Sequence, residues 1–141
     1  MRSSTSPTNR NLPYHLANMR THQSECTVST FAVPDFVDIT EDVQASLADS
    51  GICDGHVTIF SRSPSSPLIA NERESGLLKD IKTAMARLDG SVKDGRPIIG
   101  STSLILPAVA GKLRLGTWQR VLLVELSQAR PRSVIVQIVG E

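Results

Sequence analysis

The strongest constraint on the fold lies in the last third of the chain. TSLILP, GKLRLGT, WQRVLLVEL and RSVIVQIVG are four short runs rich in β-branched and aliphatic residues, broken at Pro107, Gly111, Gly116 and Pro131. Successive runs of this length usually pair as antiparallel neighbours, so this part of the chain predicts sheet. Upstream the period changes twice. CTVSTFAV, residues 26–33, is suited to a strand ended by Pro34, and HVTIF, residues 56–60, is a second. Between them DITEDVQASLADSG predicts a helix: Thr40 is placed to cap it, Glu41 and Asp42 suit the positive end of its dipole, Val43 and Leu47 share its buried face, and Gly51 stops it. Leu77, Leu78, Ile81, Met85 and Leu88 mark a second helix, with Gly90 as its expected C-cap. The order is strand, helix, strand, helix, then several strands, which is α+β and not a repeated βαβ winding.

Composition narrows the function classes. The 141 residues, 40% of them hydrophobic, suit one domain with its own core. Fifteen Lys and Arg against fourteen Asp and Glu give no general pull toward nucleic acid or anionic membrane, so neither is expected as a partner. No apolar run approaches the ~20 residues that span a bilayer, and the N-terminus lacks the apolar core of a secretory signal, which makes a cytoplasmic protein the expectation. Residues 1–22 are too polar to fold alone and read as an extended or disordered arm ahead of a domain over 23–141, with Met19 a candidate true start. Cys26 and Cys53, without CxxC spacing, read as two ordinary buried thiols before a bridge. His15, His22 and His56 lack the paired spacing of a structural zinc site, so a metal would need carboxylates.

The most site-like stretch is SRSPSSPLIANERE, residues 61–74, which follows the strand HVTIF and carries clustered hydroxyls, an amide and carboxylates. Asn71 and Glu72 can either bond a ligand or cap the helix that starts near Ser75. Gly116 lets the backbone at Thr117, Trp118 and Gln119 approach another chain or ligand, while Trp118, the single tryptophan, is more often a packing anchor. Lys112, Arg114 and Arg120 read as a solvated face; Arg62, Arg73 and above all Arg96 are better matched to phosphate.

Taken together, VDITEDVQASLADSGICDGHVTIF, LIANERESGLLKDI, GSTSLILPAVAGKLRLGTWQRVLLVEL and RPRSVIVQIVGE resemble the YjbQ family, the secondary thiamine-phosphate synthase family, over residues 24–141. GTWQ at 116–119, the Asn71-Glu72 pair and the terminal VQxxGE carry the likeness. The resemblance implies a two-layer β-sandwich with two flanking helices, a homotrimer, and a weak ability to join a hydroxymethylpyrimidine diphosphate to a thiazole phosphate. It also implies a departure: the family's histidine ahead of the Asn-Glu pair falls at Ser63, and a second near Asp94, where the chain reads SVKDGRPIIG. Loss of both would remove the easiest general acid or base and two nitrogen ligands. The expectation is therefore a degraded site with Glu72 and Ser63 as its catalytic remnant and Ser65, Ser66, Asn71, Arg96, Ser103, Thr117, Trp118 and Gln119 as ligand contacts. No resident cofactor is expected beyond a weakly held, oxygen-liganded divalent ion such as Mg. The alternative is a non-catalytic trimeric module binding a small phosphate-bearing anion.

Overall fold

A computed structural model describes residues 18–91 and 100–141. Eight strands and two helices follow one another as β1 (Arg20–Ser29), β2 (Asp35–Asp38), α1 (Thr40–Ser50), β3 (Gly55–Ser61), β4 (Leu68–Glu72), α2 (Ser75–Ser91), β5 (Ser103–Val109), β6 (Lys112–Leu113), β7 (Gln119–Glu125) and β8 (Pro131–Gly140). The α+β reading holds. The first strand begins at Arg20, so residues 20–22 of the expected arm belong to the domain, paired along β8 from Arg20 opposite Gly140. Residues 1–17, and the region of Asp94 and Arg96, lie outside the described residues.

All ladders are antiparallel, in a five-stranded sheet ordered β1-β8-β3-β5-β6 and a three-stranded sheet ordered β2-β7-β4. The strands of the last third do not simply pair with their sequence neighbours. Only β5 and β6 do so; β7 crosses to the centre of the small sheet and β8 returns to the interior of the large one. Burial gives the reason. Val121 to Glu125 are buried on both faces, which suits only a strand covered on each side, whereas β8 alternates, burying Arg132, Val134, Val136, Ile138 and Gly140. Pro107 does not end a strand either: it sits inside β5 on the outward face, opposite His56.

The main core lies between the inner faces of the two sheets, with Val57, Ile59, Leu106, Val134, Val136 and Ile138 on one side and Leu68, Val121 and Leu123 on the other; Ile39, just ahead of α1, and Val43 and Leu47 within it close the core. A smaller core forms behind the three-stranded sheet, where Ile81 and Met85 of α2 meet Phe36, Ile69, Val124 and Leu126. Helix α2 continues through Gly90 to Ser91.

Both helices start differently from the sequence reading. Asp38, not Thr40, receives the first turn of α1: its Oδ1 accepts from Thr40 N (3.0 Å) and Thr40 Oγ1 (2.6 Å). The Thr40 hydroxyl is then the acceptor for Val121 N (2.8 Å), which fastens the helix to β7. Gly51 ends α1 in the left-handed region, φ 68°, its N–H on Ala48 O. Gln44 holds the β5–β6 hairpin, donating to Gly111 O and accepting from Leu113 N. Gly55 and Gly140 cross so closely that a Cβ on either would lie 2.0 Å from a backbone oxygen of the other strand's end, so neither position admits a side chain. Among the described residues no helix is long and apolar enough to cross a membrane.

Candidate functional site

The residues expected to form one site are held at two ends of the β4–β7 ladder. Ser66 stands beside Glu125, whereas Glu72 pairs with Gln119, six positions back along β7. At ~3.3 Å per residue that is a separation of roughly 20 Å. Ser63 and Glu72 therefore do not form a catalytic pair within one chain.

The serine end is built around a buried ion pair. Arg132 of β8 reaches across the core to Glu125 of β7 in a two-pronged contact, Nε to Oε2 and Nη2 to Oε1, each 2.7 Å. Thr30 Oγ1 donates to Oε2 (2.9 Å), Ser127 N to Oε1 (3.1 Å), and Ser66 Oγ stands 3.4 Å from both oxygens. Burial alone would push the Glu125 carboxyl up, but the bonds from Arg132 and Thr30 outweigh it and bring the pKa down to about 2. The remaining face of Arg132 meets the loop: Nη1 donates to Ser63 Oγ (3.1 Å), which bonds in turn to Ser65 Oγ (3.1 Å). Ser61 Oγ donates to Ser66 O (2.6 Å) and closes the loop on itself. Ser66 is fully buried and committed to Glu125, so it cannot contact a ligand; Ser63 and Ser65 complete a structural network. Ser103 is exposed at the start of β5, opposite Phe60 at this same end. The sequence reading missed Glu125 and Arg132. The available signal was a single carboxylate closing the apolar run VLLVE, at a position whose neighbours are all core.

The other end carries an open cleft of about 500 Å³ lined by Asp38, Glu72, Arg73, Glu74, Thr117, Trp118 and Arg120. It unites the Asn71-Glu72 segment with the GTWQ turn, because β4 ends opposite the start of β7. The turn is tied by Gln119, whose N donates to Gly116 O (3.0 Å) and whose Oε1 accepts from Gly116 N (2.7 Å). The Gln119 carbonyl is thus used internally. Trp118 is not a packing anchor of its own chain: it is 73% exposed over the cleft. Asn71 and Glu72 do not cap α2. That role belongs to Glu74, whose carboxylate accepts from Gly76 N (2.9 Å) and Leu77 N (2.7 Å); these two amides hold its pKa down. Asn71 Oδ1 accepts from the next amide, Glu72 N (2.8 Å).

Arg120, read as part of a solvated face, is clamped between carboxylates, Nε to Asp38 Oδ2 (2.7 Å) and Nη2 to Glu41 Oε1 (2.6 Å), which raises its pKa. Burial works to raise the Asp38 pKa, but the bonds from Arg120 and Thr40 win and lower it. Arg73 stands 3.7 Å from Asp38 and keeps 61% of its side chain exposed. Arg62, at the serine end, pairs with Glu25 (3.2 Å). Among the described residues no group of three His, Cys, Asp or Glu could hold a metal ion, and both cysteines are free thiols, Cys53 being exposed and not buried as read.

Two antiparallel sheets packed face to face, with one helix closing the core and one backing the smaller sheet, define an α+β sandwich whose cleft opens at the β4–α2 and β6–β7 junctions. The chain belongs to the UPF0047 protein YjbQ-like family, whose model matches residues 24–141. A UPF0047 protein of Methanothermobacter thermautotrophicus is 30% identical over 136 residues, 87% of this chain and 95% of that protein. One from Archaeoglobus fulgidus is 33% identical over 129 residues, 80% and 98% of the two chains. The crystal structure of a YbjQ-like protein of unknown function from Sulfolobus solfataricus superposes with a TM-score of 0.78 at 31% identity, covering 87% of this chain and 99% of that one.

Proposed function

We propose that the chain is a small-ligand-binding member of this family, that it works as a homotrimer, and that it retains at most a weak thiamine-phosphate-synthase-like activity in the Trp118 cleft. One observation carries the reading: the cleft joins the Asn71-Glu72 segment to the GTWQ turn, two stretches far apart in sequence, around an exposed tryptophan. A planar ring can lie against Trp118, and the open face of Arg73 offers a phosphate its guanidinium. Departure of a diphosphate depends mainly on electrostatic stabilisation of the leaving group. Among the described residues of the cleft only Arg73 has donors to spare, because Arg120 is committed to Asp38 and Glu41, and no histidine is among them, so turnover should be slow. The loss of general acid or base help is worth ~10²- to 10⁴-fold in rate. The second reading, a binding module without turnover, differs only in that last step.

The trimer reading is supported by the outer face of the five-stranded sheet. Phe60, Ile105, Pro107 and Val109 project there and are exposed among the described residues, Ile105 to 69%. Uncovered apolar patches of this kind mark association surfaces.

Trp118 is the only tryptophan, so its fluorescence reports on the cleft alone. Titration with thiamine phosphate, thiazole phosphate and pyrophosphate should give a saturable change with at least one of them. Incubation with the pyrimidine diphosphate and thiazole phosphate should then form thiamine phosphate slowly or not at all, separating enzyme from binding module. No saturable change with any of the three would overturn both readings.

A further inference from the structure

Strand β1 is a sheet edge without the usual protection. It closes the five-stranded sheet on one side, and among the described residues nothing pairs with its outer edge. A row of unpaired N–H and C=O groups is a template for another strand, and proteins blunt such rows with lysines, prolines, bulges or short length. The other sheet edges are short: β6 has two residues, β2 four, and β4 five, with Leu68 bridged to Ser101. By contrast β1 runs for ten residues, RTHQSECTVS, with neither lysine nor proline, and its register against β8 is unbroken from Arg20 to Ser29. Its Arg20 and Glu25 are spent on their own chain: Arg20 Nη2 donates to Gly51 O (2.9 Å), and Glu25 accepts from Arg62 Nη1 (3.2 Å) and from Ser133 Oγ.

We propose that β1 pairs antiparallel with β1 of a second copy about a twofold axis at Ser24, joining two five-stranded sheets edge to edge. The strand is self-complementary in that register. Its exposed row includes Thr21, Gln23, Glu25 and Thr27. Reversal about Ser24 sets Thr21 against the partner's Thr27 and Gln23 against the partner's Glu25, hydrogen-bonding pairs with no like charges opposed. On the opposite side of the strand His22 meets the partner's Cys26, and Ser24 meets itself. Centring the axis on Glu25 would oppose two carboxylates, and centring it on Gln23 would shorten the ladder. A twofold contact must be self-complementary, and main-chain bonds along a free edge supply its affinity. The contact covers little apolar surface, so it is weak and forms only in concentrated protein. It also stands apart from the trimer reading, because β8 and β3 lie between β1 and the Ile105 patch on β5.

Sedimentation equilibrium on the full-length protein tests this, in reducing buffer to exclude cross-links through the exposed Cys53. The mass found at micromolar protein should double at millimolar protein and return on dilution. The step runs from trimer to hexamer, or from monomer to dimer if the trimer reading fails, so the two surfaces are read separately. Two substitutions at one exposed position fix the register. Gln23→Glu opposes like charges twice across the axis and should weaken the doubling about threefold, whereas Gln23→Lys faces the partner's Glu25 twice and should strengthen it about threefold. A general effect of charge on a sheet edge would weaken both. Hydrogen exchange at the β1 amides that point away from β8 should slow between micromolar and millimolar protein. A mass that does not double, or two variants that shift it in the same direction, would overturn the pairing. Slow exchange at those amides without doubling would give the edge to a strand from elsewhere and overturn it as well.

Discussion

Glu125 and Arg132 are the two charges whose environment differs most from water. A fully buried bidentate pair is held together because neither partner can be solvated once the other is gone. Glu125→Gln should cost about 3 to 5 kcal/mol in urea denaturation, since it leaves a buried guanidinium uncompensated. The double replacement Glu125→Leu with Arg132→Met should be markedly more stable than either single one; if it is no better than the worse of them, the pair is not what makes those positions sensitive. The same carboxyl sets an acid limit. Its folded pKa, about 2, lies below its ordinary value, so its stabilisation is complete above about pH 4.5 and is lost as pH falls toward 2. Stability measured at pH 6 and pH 3 should drop by roughly 2 kcal/mol more in the parent than in Glu125→Gln, which carries no group to protonate there. Nothing in residue type announced this pair. A glutamate after VLLV reads as the polar end of a strand, and only the return of β8 beneath β7 turns it into the centre of a network.

At the scale of the elements, local chemistry was legible and its partners were not. The helix from Thr40 to Gly51 follows from its acidic first turn, its buried pair Val43 and Leu47, and its terminal glycine, all within one segment. Of the two readings of Asn71 and Glu72, the capping one fails: Asn71 is a good capping residue by type, but the chain needs Asn71 and Glu72 extended to complete β4 against Arg120 and Gln119. The cap therefore falls to Glu74, the first acid past the strand. Glu74→Ala should free the Gly76 and Leu77 amides and speed their hydrogen exchange several-fold, while Asn71→Ala should leave both unchanged. Equal effects from the two variants would show that Glu74 is not the cap. The reading of Pro107 as a breaker failed for a related reason: its carbonyl accepts from Arg114 N on the β6 side, so its missing N–H falls on that side too and interrupts no bond of the β3–β5 ladder.

For the molecule as a whole, the α+β class and the family were readable from element order and from short motifs, but the assignment of strands to sheets was not, because pairing partners such as β1 and β8 lie at opposite ends of the domain. That same non-local pairing splits the anticipated site, placing Ser63 with Arg132 and Glu72 with Trp118. A histidine installed at position 63 would consequently act on the buried pair and not on the cleft of its own chain. If the outer face of the five-stranded sheet is the association surface, Ile105→Glu should convert the trimer to monomer in light scattering at micromolar concentration without unfolding it; a parent that is itself monomeric would refute the assembly. The position of β7 has one more consequence, and it concerns time. Its interior, Val121 to Val124, is paired on both edges and sealed on both faces, by the large sheet and α1 on one side and by α2 on the other. No partial opening of the domain bares these amides, so in deuterated water they should be the last to exchange, at a rate set by unfolding of the entire chain. The Gly116–Gln119 turn, only a residue or two away, should exchange among the first, which would make β7 a strand whose one end is permanent and whose other end is open to whatever arrives.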